Sequence, residues 1–86
     1  MIAVEFYGVP RYRAGTALVR LEATTIGQAL RELSSLFPAL AEPSLAQGAL
    51  PTVFKLSLNG DRFVSDPATP LQDGDTLLLL SADVGG

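Results

Sequence analysis

Ile2, Val4 and Phe6 alternate with Ala3, Glu5 and Tyr7, the period of two that marks a half-buried strand. Gly8-Val9-Pro10 breaks that alternation, and Arg11 to Gly15 reads as a loop. Thr16 to Glu22 predicts a second strand, with Ala17, Val19 and Leu21 on one side, so the chain opens with a long-looped hairpin. The pattern then changes period. Ile26, Ala29, Leu30, Leu33, Leu36 and Phe37 fall at the i, i+3, i+4, i+7 spacing of one apolar helical stripe. Thr25 and Gln28 form a capping box at its start, and Pro38 ends it by disfavouring helical geometry at Phe37. Gly27, inside the first turn, is expected to weaken the helix by about 1 kcal/mol relative to alanine.

Pro38, Pro43, Gly48 and Pro51 make residues 38–52 an irregular connection with a short turn around Ser44 to Gln47. Val53 to Leu58 predicts a third strand, Asn59-Gly60 a tight turn, and Arg62-Phe63-Val64 a short fourth strand. Asp73-Gly74-Asp75 turns the chain into a last strand, Thr76 to Ser81, whose four consecutive leucines place apolar side chains on both faces. A strand apolar on both faces belongs in the middle of a sheet, here beside and parallel to the first. The order β-β-α-β-β-β predicts an α+β fold: a mixed sheet of about five strands covered on one face by one main helix. One domain is expected over residues 1–81, with residues 82–86 expected to form a flexible tail. The other sheet face would expose Leu78 and Leu80, with Leu18 and Phe54 or Phe63 beside them. Either it docks a partner or the 38–52 connection folds over it.

Composition narrows the chemistry. The 86 residues are 48% hydrophobic, enough for a packed domain, and contain no Cys and no His. The usual nucleophile, the usual general base and the commonest zinc ligands are therefore missing. Intrinsic catalysis is not expected. A net charge of -3, with Lys55 the single lysine and the arginines scattered, argues against nucleic acid. Asp61, Asp66, Asp73 and Asp75 lack the spacing and closing glutamate of a calcium loop. The longest apolar run, Leu77 to Leu80, is too short for a bilayer, and Met1 opens straight into a strand with no basic leader. A cytoplasmic protein with no membrane partner is expected.

The sequence closes on Ala82-Asp83-Val84-Gly85-Gly86. Glycines without Cβ atoms can enter a narrow channel, and four residues from Asp83 reach roughly 13 Å at about 3.3 Å each. Together with Thr24-Thr25-Ile26-Gly27-Gln28-Ala29-Leu30, Leu58-Asn59-Gly60 and Thr69-Pro70-Leu71-Gln72-Asp73-Gly74-Asp75, this ending resembles the MoaD/ThiS family of β-grasp, ubiquitin-like sulfur carriers. The similarity runs over nearly the whole chain. Within the family it looks more like the molybdopterin synthase small subunit, because the Gly8–Gly15 and 38–52 connections exceed what a thiamine-type carrier needs.

The resemblance implies that Gly86 carries the sulfur and that Gly85 gives the tail its slimness. A terminal carboxylate is a poor electrophile at neutral pH, so activation must come from outside. An adenylating enzyme of the MoeB/ThiF, ubiquitin-activating type would use Mg-ATP to make a Gly86 acyl-adenylate, and a persulfide donor would convert it to a thiocarboxylate. The tail would then enter a MoaE-type large subunit and supply sulfur for molybdopterin. No cofactor is expected on the carrier itself. Val84 and Asp83 would register the tail, Leu78, Leu80, Phe54 and Phe63 would meet partners, and Arg11 would pair with an acidic partner residue or remain solvated. Other destinations stay open: thiamine, cysteine or tRNA thiolation, a protein tag joined through Gly86 to lysines, or an interaction module whose tail is idle.

Overall fold

The computed structural model describes residues 1–82, which form a five-stranded mixed sheet with helices on one side. Strand β1 (Ile2–Phe6) leads into helix α1 (Gly8–Ala14), strand β2 (Leu18–Leu21) and helix α2 (Ile26–Leu36). Two 3-10 turns, Pro38–Leu40 and Pro43–Gln47, precede β3 (Phe54–Leu58), β4 (Arg62–Phe63) and β5 (Thr76–Ser81). The spatial order is β2-β1-β5-β3-β4, with β5 in the centre, parallel to β1 and antiparallel to β3.

Helix α1 corrects the loop expected at Arg11 to Gly15. Gly8 and Pro10 commonly break an element, but both sit in the helix's first turn, where Pro10 loses no intrahelical bond. Gly15 closes the helix at φ 74°, its N–H donating to Arg11 O at 3.0 Å. Arg11 and Arg13 lie in the last turn, where the helix dipole favours cations. The strand β2 is correspondingly shorter than expected.

Helix α2 starts as the sequence implies, with a variation. Gln28 N–H donates to Thr25 Oγ1 at 3.2 Å, but Gln28 Oε1 reaches back to Thr24, accepting its N–H at 2.7 Å and its hydroxyl at 3.1 Å. The next two N–H groups, of Ile26 and Gly27, donate to Thr69 O and Pro67 O. That approach explains Gly27, because a Cβ there would lie 3.1 Å from Pro67 Cβ and 3.3 Å from Pro67 O.

The core is one cluster. Ile26, Ala29, Leu30 and Leu33 of α2 pack on Ile2, Val4, Phe6, Leu56, Leu77 and Leu79, all buried. Leu36, expected on the same stripe, is exposed, while Phe37 is half-buried and sets its ring edge-on to Phe6 at 5.3 Å. The 38–52 connection packs on the helix side, where it adds Leu40 and Leu45 to the core. It therefore does not cover the other face of the sheet.

Candidate partner-docking surface

Directly opposed residues of neighbouring strands share a face. The pairings Leu18–Glu5, Glu5–Leu78, Leu78–Ser57 and Ser57–Phe63 therefore run as one row across all five strands on the side away from α2. Arg20 beside Ala3 and Leu80 beside Lys55 flank that row on the same face. Leu18 is 40% and Phe63 64% exposed, so large apolar groups meet solvent at both margins, with half-buried Leu78 and Leu80 between them. The open face is thus a row of apolar side chains, Leu18, Leu78 and Phe63, interrupted by Glu5 and Ser57.

Its charges are organised. The Lys55 ammonium stands 5.1 Å from the centre of the Phe63 ring, so the single lysine lies against aromatic surface. Glu5 accepts a hydrogen bond from the Tyr7 hydroxyl, which holds the phenol proton and raises the Tyr7 pKa. The strand pairings put two cations, Arg20 and Lys55, on this face together with Glu5. Lys55 and Tyr7 were not singled out from the sequence; their positions opposite Leu80 and one alternation beyond Glu5 were the available signal.

Phe54 is a correction. Its register partner is Ser81, which puts it on the helix side with Leu56 and Leu79, and it is only 3% exposed. The alternation of Phe54, Leu56 and Leu58 is that of core residues, so Phe54 cannot share the open face with Leu78. Arg11 is exposed on α1 rather than on a loop.

At the exit of β5, Ser81 Oγ accepts the Val9 N–H at 3.1 Å and Ala82 N–H donates to Val53 O at 2.9 Å. The contact with Ser81 leaves little room at Gly8, where φ is 62° and a Cβ would lie 2.9 Å from Ser81 Oγ. Pro51 has no N–H to offer, and its carbonyl already accepts the Phe54 N–H at 3.1 Å. The tail residues Asp83, Val84, Gly85 and Gly86 lie outside the described residues.

The turn entering β5 is built by side chains. Asp75 accepts the Gln72 N–H at 2.8 Å and the Asn59 amide at 3.1 Å, while Asn59 Oδ1 accepts the Thr76 N–H at 2.8 Å. The backbone bond first and Asn59 second hold the Asp75 carboxyl below the usual carboxylate range. Asn59 and Gly60 take φ 57° and 70°, the conformation of a tight hairpin turn. Among the described residues no group of three or more acidic, His or Cys side chains converges as a metal site, and no helix is long and apolar enough to cross a membrane.

A twisted mixed sheet with its last strand central, α2 across one face and the other face bare, is the β-grasp, ubiquitin-like fold. No protein-family model matches the chain, and no curated protein does. Solved structures do. SAMP1 of Haloferax volcanii is 25% identical with a TM-score of 0.81, covering 99% of this chain and 98% of that one. A chain in the complex of subunits 1 and 2 of the molybdopterin-converting factor from Helicobacter pylori is 26% identical, with a TM-score of 0.65 and coverages of 99% and 97%. A chain of the Amycolatopsis orientalis BexX/CysO complex, 22% identical with a TM-score of 0.75 and coverage of 100% of each chain, supports the fold.

Proposed function

We propose that this chain is a sulfur carrier, activated at Gly86 by an adenylating partner and acting with a large subunit in molybdopterin assembly. The observation that carries it is an uncovered sheet face with exposed apolar groups beside a central strand that is followed in the sequence by Gly85-Gly86. Likeness to a molybdopterin-converting factor chain supports the destination. In this reading the Gly86 carboxylate attacks the α-phosphorus of ATP, releasing pyrophosphate. A persulfide then attacks the acyl carbon and AMP leaves. A thiol cleaves the resulting S–S bond, is itself oxidised to a disulfide, and leaves the thiocarboxylate. This chain contributes reach and a docking face. Arg20 and Lys55 on this face suit a partner whose apolar patch carries acidic residues at its rim.

A second reading, a protein modifier joined through Gly86 to lysines, is favoured by the likeness to SAMP1. Co-expression with the adenylating partner and a sulfur source separates the two. The sulfur-carrier reading expects an intact mass showing sulfur in place of one terminal oxygen, lost on deleting Gly86. Isopeptide conjugates without a free thiocarboxylate would establish the modifier reading instead, and a mass shift that survives loss of Gly86 would overturn both.

A further inference from the structure

The sheet has two edges, and they are finished differently. β4 is two residues long, with the Asn59-Gly60 turn before it and Asp66-Pro67 soon after, so that edge offers little to pair with. β2 is the other edge, and its residues, Leu18–Leu21, include no proline and no glycine. Phe6 N–H donates to Ala17 O at 2.9 Å, which sets the phase of the ladder: Ala17, Val19 and Leu21 turn their backbone groups toward β1. Leu18 and Arg20 turn theirs outward, and both residues are exposed. Among the described residues neither N–H has a partner, and Leu18 O accepts only the Thr16 hydroxyl, at 3.3 Å, with a second lone pair left.

The open stretch is short. Leu71 N–H donates to Thr24 O at 2.9 Å and Pro70 bridges to Thr25, so that segment covers the edge beyond Glu22 and Ala23. A second copy of this chain matches what remains. Paired antiparallel across a two-fold axis, β2 has few registers. Arg20 opposite the second copy's Arg20 sets like charges against each other. Arg20 opposite Glu22 joins opposite charges but drives Leu18 onto Thr24, where Leu71 already sits. With Leu18 on the axis, Arg20 meets the bend at Thr16. With Val19 on the axis none of these conflicts arises. Leu18 then faces the second copy's Arg20, twice, and the outward N–H and C=O groups of both residues close onto each other. Leu18 lies along the aliphatic stem of that arginine, and half-buried Val19 meets its counterpart.

We propose that two copies of this chain join β2 to β2, antiparallel about Val19, into one continuous sheet. Both bare faces then lie on the same side, so a dimer presents two docking surfaces side by side. With so short a contact and a charge of -3 on each copy, association is weak and needs high concentration. The proposal is independent of whether Gly86 carries sulfur or forms conjugates.

Sedimentation of the full-length protein from about 10 µM to 1 mM should show a mass rising above the monomer's 9.0 kDa toward twice that value. Over the same range amide exchange should slow at Leu18 and Arg20, while Val19 and Leu21, bonded to β1, are protected throughout. Arg20→Pro removes an outward N–H and leaves the β1 ladder its bonds, so it should abolish the rise in mass. Leu18→Glu sets a carboxylate opposite the second copy's Arg20, twice, and should tighten association by about 2- to 30-fold. That variant keeps the test decisive if Arg20→Pro misfolds. A monomer at every concentration, a dimer weakened by Leu18→Glu, or a dimer whose Leu18 and Arg20 amides stay unprotected would overturn the proposal.

Discussion

In its central strand, β5, the two faces of the sheet carry the same residue type and serve opposite ends. In β5, Leu77 and Leu79 point under α2 and are wholly buried, whereas Leu78 and Leu80, one position away, point to the bare face and stay half-buried. In β3, Phe54 and Leu56 join the first set and Lys55 joins the second. Since a leucine is as apolar on one side as on the other, chemistry does not distinguish them. What distinguishes them is cover: α2, α1 and the 38–52 connection all lie on one side. The covered leucines hold the fold together, and the bare ones are available to another protein.

That division should be visible in mutants. Leu79→Ala, emptying a fully buried site beside Leu56, should cost about 2–5 kcal/mol in urea unfolding, much of what a domain this small possesses. Gly27→Ala should lose stability, by about 1 kcal/mol, despite its better helix propensity, since the rigid Pro67 ring and carbonyl leave no room. A stabilised Gly27→Ala protein would show that the Pro67 segment yields. The β5 entry turn gives a pH-dependent case. The Asp75 carboxyl titrates below its unfolded value, so its contribution is full above the ordinary carboxylate range and fades as pH falls through its depressed value. The stability gap between wild type and Asp75→Asn should therefore be flat near neutrality and shrink in acid. The smallest change in unfolding is expected for Phe63→Ala, within about 0.5 kcal/mol, as it is 64% exposed. Leu80→Asp, beside Lys55, should likewise leave the fold largely intact while abolishing binding to an apolar, acidic-rimmed partner. Binding retained by a folded Leu80→Asp protein would break the assignment of the bare face.

Much of this was legible in the residues. The alternation in Ile2 to Phe6 and the stripe from Ile26 to Leu33 mark their buried sides directly, and β5 falls between its expected limits. Helix α1 was hidden because its glycine and proline sit in its first turn, where the same residues also punctuate loops. Phe54 was misplaced because a two-faced β5 does not say which of its sides a neighbour shares; only the pairing with Ser81 does.

The central strand is also the last to be made. Until Thr76 to Ser81 emerges during synthesis, β1 with β2 and β3 with β4 are two separate hairpins, with the groove between them unfilled. Closing the sheet joins Val4 to Leu77 across most of the sequence, a contact order that slows folding and leaves α2 without its floor meanwhile. Nascent chains arrested before Thr76 should therefore be protease-sensitive throughout, and protection should appear in one step once β5 clears the ribosome.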